Sequence, residues 1–133
     1  MQMRLVEQTP LPTWLAMPTR PCTSAHLYLH GSGERGDDDR KLRRWSLPGL
    51  IDRGLELPFM VVAPICPIGR DWGEASLVGA AFSSLALLAP RHVASSLTIS
   101  GFSMGARGAW IASAQSLVSR ALIVAGRTAL DLL

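Results

Sequence analysis

Gly101-Phe102-Ser103-Met104-Gly105 follows directly on the strand-like run Ser96-Leu97-Thr98-Ile99-Ser100. This G-x-S-x-G stretch decides the fold. A reactive serine that stands clear of a sheet needs a tight strand-to-helix turn with a strained backbone. Glycines two residues to either side remove the Cβ atoms that would collide there. Both flanks agree. A short β-branched strand precedes the turn, and Ala106 to Leu117 carries apolar residues at Ala109, Trp110, Ala112 and Leu117, the spacing of a helix. The pattern alone recurs by chance, and an ordinary glycine turn with Ser103 as a helix N-cap would also satisfy it.

A second motif lies upstream. Leu27-Tyr28-Leu29-His30 is a short apolar strand running into Gly31-Ser32-Gly33-Glu34-Arg35-Gly36-Asp37-Asp38. Acyl transfer through a serine needs two backbone N–H groups aimed at the developing oxyanion. One comes from the residue after the nucleophile, here Met104, and the other from a glycine-lined loop, with Ser32 as the natural donor. Losing one such donor costs about 10²–10³ in rate, so a loop of this composition has a catalytic reason to exist.

Together, LYLHGSGERGDD and SGFSMGARGAW resemble the α/β-hydrolase superfamily, most closely the branch of phospholipase/carboxylesterase-type esterases, dienelactone-hydrolase-like proteins and predicted serine peptidases. Between them, Phe59 to Pro64 resembles that family's fourth strand, and Ile65 to Trp72 its following loop, with Trp72 near the pocket. The resemblance covers roughly Ala25 to Gly126. It implies an α/β fold with a mostly parallel sheet and helices on both faces. It also implies a carboxylesterase-like serine hydrolase without a cofactor, acting on a small ester. Ser103 would be the nucleophile and the Ser32 and Met104 amides the oxyanion hole; His30, Gly31, Gly33, Gly101 and Gly105 support the two motifs.

The family's triad runs serine, acid, histidine along the chain. After Ser103 the sequence has one acid, Asp131, and no histidine, and it stops just past the strand-like run Ala121 to Gly126. The expectation is a single, incomplete hydrolase domain over residues 1–133, lacking the last strands, with the acid and histidine beyond Leu133. His92 and His26 belong to the opposite end of the sheet from Ser103; at ~3.3 Å per residue His26 lies about 13 Å from His30. His30 is at the correct end, either as a base or, more simply, ordering the glycine loop through a buried hydrogen bond. Glu34, Asp37, Asp38, Asp39 and Asp71 could each approach the site, and spacing singles none out. Removing the base or the nucleophile from such a triad costs on the order of 10⁶ in turnover, so the chain alone is expected to be nearly inert. The rival reading is a non-catalytic hydrolase-like fragment or binding module. Self-association, or a complementing C-terminal segment, would cover an exposed strand at 121–125.

Composition narrows the alternatives. The 133 residues, 48% hydrophobic and 17% charged with net charge +3, describe one globular domain. Arg40-Lys41-Arg43-Arg44 follows three aspartates and lacks aromatic interleaving beyond Trp45. It therefore reads as the solvated face of a helix from about Asp38 to Gly54, split or kinked at Pro48, rather than as a nucleic-acid patch. Gly31 to Gly36 also satisfies G-x-G-x-x-G, but Glu34 and the aspartates occupy the position a dinucleotide's pyrophosphate would need. Cys22 and Cys66 are isolated and no third ligand joins His26 and His30, so no metal site is expected. Two cysteines without an export signal suggest reduced thiols in a cytoplasmic protein. Ala75 to Ala89 is too short to span a bilayer and ends at Pro90; Val78, Ala81, Phe82, Leu85 and Leu88 give it a helix's packing face. Pro10 to Pro21 is the loosest stretch, with room for a short first strand or two.

Overall fold

In the computed structural model, which describes residues 1–36 and 38–124, six strands form one sheet in the order β1-β2-β4-β3-β5-β6. The strands are β1 Gln2–Val6, β2 Thr13–Met17, β3 Ala25–Leu29, β4 Met60–Pro64, β5 Leu97–Phe102 and β6 Val118–Val124. β2 runs antiparallel to both β1 and β4; β3, β4, β5 and β6 are mutually parallel. Parallel neighbours need crossovers, and these carry the helices α1 Ser46–Asp52, α2 Ala75–Leu88, α3 Pro90–Ser95 and α4 Met104–Ala112.

The sheet is apolar on both sides, which requires cover on both. Leu27, Leu29, Val62, Leu97 and Ile99 point to one face and pack under Leu77, Val78, Ala81 and Leu85 of α2 and Ala109 and Ala112 of α4. Tyr28, Val61 and Ala63 point to the other, where Leu42 and Ile51 close over them. The expected mostly parallel sheet with helices on both faces is therefore present.

Several local expectations shift. The helix foreseen over 38–54 is two pieces, a 3₁₀ turn at Asp39–Arg43 and α1, and the break falls at Trp45-Ser46, where Ser46 has φ 53°. Pro48 is not the cause. It sits in the first turn of α1, where its missing N–H costs no helical bond. Pro90 ends α2 but also opens α3, which the sequence did not suggest. α4 stops at Ala112 rather than reaching Leu117, and Leu117 is 56% exposed. β1 was not foreseen; β2 lies inside the loose 10–21 stretch. Ala125, Gly126 and Asp131 lie outside the described residues, as does Asp37.

β6 is the outer strand beyond β5. Ser119 is an extra residue between the pairs Leu97–Val118 and Thr98–Arg120, and its hydroxyl donates to Leu97 O at 2.8 Å. On the α1 side of the sheet, Leu50, Phe102, Leu122 and Val124 line an open apolar hollow of about 410 Å³, and Leu122 is 62% exposed. Among the described residues no helix is long and apolar enough to cross a membrane.

The central strands carry the stability. Leu27→Ala, at a side chain with no exposure, should lower the unfolding free energy by about 2–5 kcal/mol in urea titrations. Leu87→Ala, on the solvent side of α2, should change it by no more than about 0.5 kcal/mol.

Candidate active site

Ser103 lies between the last residue of β5 and the first of α4, with φ 54° and ψ −111°. For a residue with a Cβ this is the disfavoured left-handed side of φ, held only where surrounding structure over-determines it. Two hydrogen bonds and two flanking glycines do so here. Ser103 N donates to Val124 O at 2.9 Å, tying the turn to the end of β6, and Ala106 N donates back to Ser103 O at 3.0 Å. The glycines on either side let the chain close. A Cβ at Gly101 would lie 2.0 Å from Gly105 O, and one at Gly105 would lie 1.8 Å from Leu29 O. Neither distance is open to any side chain, so both positions of the motif are sterically required. Gly108 continues the seam, since a Cβ there would lie 2.7 Å from Leu29 Cδ1.

The loop after β3 faces this turn. Gly31, Ser32, Gly33 and Glu34 line a cavity of about 370 Å³ with Phe102 and Ser103, and Trp45 and Ser46 close it from the start of α1. The loop itself is a single 3₁₀ turn, Ser32–Glu34, with Glu34 N donating to Gly31 O and Arg35 N to Ser32 O. It does not open a long helix at Gly36, as a dinucleotide-binding reading would need. Met104 begins α4 and Ser32 begins the 3₁₀ turn, and first-turn N–H groups have no acceptor within their own helix.

His30 anchors the loop from beneath and has no exposure. Its Nδ1 donates to Gly31 O at 2.6 Å, and its Nε2 accepts from Cys66 N at 2.9 Å. Both ring nitrogens are thus committed, one as donor and one as acceptor. That arrangement fixes the neutral tautomer and leaves no lone pair for a proton from Ser103. Trp72 packs edge-on against the imidazole, centroids 5.6 Å apart. It is wholly buried, and it is not among the residues lining the cavity around Ser103. Its 66–72 loop is held to α4 by an Arg107–Asp71 ion pair at 2.6 Å.

The other histidines are elsewhere. His26 spans β3 and β5, its two nitrogens 2.7 Å from the hydroxyls of Thr98 and Ser100. His92 lies in α3, before β5 begins. Among the acids, Asp71 is taken by Arg107 and Asp38 by Arg40. Glu34 lines the cavity, is only 6% exposed, and burial holds its carboxyl above the usual glutamate value. Gly31, Ser32, Gly33 and Ser103, singled out from the sequence, line this one cavity; Trp45, Ser46 and Phe102, which also line it, were not singled out. Only tertiary placement identifies these three, because no local pattern marks the start of α1 as a neighbour of the β5–α4 turn.

Solved structures with the same fold include a thermostable esterase (21% identity, TM-score 0.63, covering 92% of this chain and 40% of that one). An esterase of Pyrococcus furiosus gives 19% identity and TM-score 0.71 over 98% of this chain and 53% of its own. An acetyl xylan esterase from Aspergillus awamori gives 14%, 0.65, 96% and 53%. No protein-family model and no curated protein sequence matches the chain. The chain thus spans about half the length of these solved structures, and over that span its fold is the α/β-hydrolase fold.

Burial pushes the imidazoles of both His26 and His30 down to about 4. In the unfolded chain they take up protons near 6.5, so between these values the unfolded state binds more protons than the folded one. Stability should therefore be fullest above about pH 6.5 and fall steadily as pH drops toward 4. Urea midpoints measured across this range should show the slope, and His26→Gln should reduce it.

Proposed function

We propose that the chain is the serine-bearing part of a carboxylesterase-like hydrolase, with Ser103 as nucleophile and the Ser32 and Met104 amides as oxyanion hole. The observation that carries this reading is the backbone of Ser103. A serine held at φ 54° between two sterically obligatory glycines, at the mouth of a cavity lined by a second glycine loop, has no packing reason to be there. The neighbouring folds named as esterases support the same class, and a small carboxylic ester is the substrate we favour. In the reaction the Ser103 hydroxyl oxygen would attack the ester carbonyl, and the two amides would receive the charge that develops on its oxygen. No cofactor enters this chemistry. The free thiols of Cys22 and Cys66 suit a reducing compartment such as the cytoplasm.

The rival reading, a hydrolase-like module without turnover, draws on one observation. Among the described residues no imidazole reaches the cavity around Ser103, because His30 is spent on Gly31 and Cys66. A triad without its base retains roughly 10³–10⁴ over water from binding and the oxyanion hole. The chain alone should thus acylate but turn over poorly. A fluorophosphonate probe read by peptide mass spectrometry should mark Ser103, and Ser103→Ala should lose the label. Equal labelling in that variant would remove the nucleophile.

The hollow beside β6 calls for cover, from a second copy of this chain or from a segment completing the fold. Light scattering on the isolated chain should show association that Leu122→Glu reduces; a monodisperse monomer would refute it.

A further inference from the structure

We infer that Gly33 sets the bulk of the group this site accepts: its missing side chain admits an ester branched beside the carbonyl carbon. The role rests on Ser103 being the nucleophile. Five of the six glycines in the two motifs have a reason inside the protein itself. Gly101, Gly105 and Gly108 press on neighbouring main chain or on Leu29. Gly36 has φ 105°, and a Cβ there would lie 2.6 Å from Ile68 Cγ1. At Gly31 a Cβ would meet Glu34 Oε2 at 3.2 Å and Phe102 Cδ1 at 3.3 Å, closer than side chains ordinarily pack.

Gly33 has no such reason. A Cβ there would meet no atom within 4 Å, and its φ is not positive. It is the middle residue of the 3₁₀ turn Ser32–Glu34, a backbone that alanine adopts without strain and with less freedom to lose on folding. Packing and conformation both leave the position open to a side chain. Gly79, exposed on α2, has equal room, so vacancy alone assigns nothing. What separates Gly33 is its place, in the wall of the 370 Å³ cavity that holds Ser103.

That place bears on the substrate. Gly33 directly follows Ser32, the oxyanion donor of the proposed function. A carbonyl oxygen held by the Ser32 amide keeps its carbon, and the first atoms attached to that carbon, near the Gly33 main chain. Trp45 and Phe102 bring large side chains to the same cavity, so room for a branch falls on the glycine side. A straight chain would leave that room unused.

The test compares phosphorylation of Ser103 by diethyl and by diisopropyl fluorophosphate, which share a leaving group and differ in bulk. Second-order rate constants are measured on the full chain, wild type and Gly33→Ala, with Ser103 labelling read by peptide mass spectrometry. The ratio of the two constants cancels the reagents' intrinsic reactivity. One methylene in a pocket is worth about 10–200-fold in discrimination. The diisopropyl-to-diethyl ratio should therefore fall at least ~10-fold in Gly33→Ala, while the urea midpoint holds or rises. Equal ratios in the two proteins would overturn the assignment and leave Ser103 as nucleophile. A lowered urea midpoint would overturn it as well, since the fold would then need the glycine. No label on Ser103 from either reagent in either protein would remove the nucleophile itself.

Discussion

The structure depends on the closeness of two main chains. α4 lies against the end of β3 with no room for a side chain at Gly105, and the turn before it closes on Gly101 with equally little room. These contacts leave Ser103 no ordinary backbone conformation. The strain of its positive φ, of order 1–3 kcal/mol, is carried by a sheet whose central strands are almost wholly buried. A loose framework would relax the turn; this one cannot, because relaxation would drive α4 into Leu29.

That constraint also explains the division of labour among the histidines. A loop rich in glycine has little intrinsic preference for one shape, and something must hold it. His30 does so from below, bridging the loops after β3 and β4 through both ring nitrogens. The cost is that its imidazole is unavailable for proton transfer. His26 is bound in the same manner between two hydroxyls on the neighbouring strand. Among the described residues, the ionisable side chain that lines the cavity with Ser103 is the Glu34 carboxyl.

How much of this was legible in the residues follows from the range of the forces involved. The Ser103 turn was readable because its requirement is steric and local, and glycine at fixed offsets is its direct signature. The central strands and α2 were readable from periodicity. The failures are all non-local. Pro90 reads as a stop, yet proline is equally at home at the first position of a new helix. The split before α1 falls at Ser46, with φ 53°, and brings Gly49 against the main chain of Arg44, where a Cβ would lie 2.8 Å from its carbonyl carbon; no pattern announces that contact. β1 is a five-residue strand whose pairing with β2 is settled by register across a turn. Of the four candidate acids among the described residues only Glu34 shares the cavity with Ser103, a fact of placement rather than spacing.

The most direct measurement is a crystal structure of the chain phosphonylated at Ser103. The phosphonyl oxygen should lie about 2.7–3.1 Å from both the Ser32 and Met104 amide nitrogens. A phosphonyl oxygen turned to solvent, or a Ser103 backbone relaxed to negative φ, would undo the interpretation at its root.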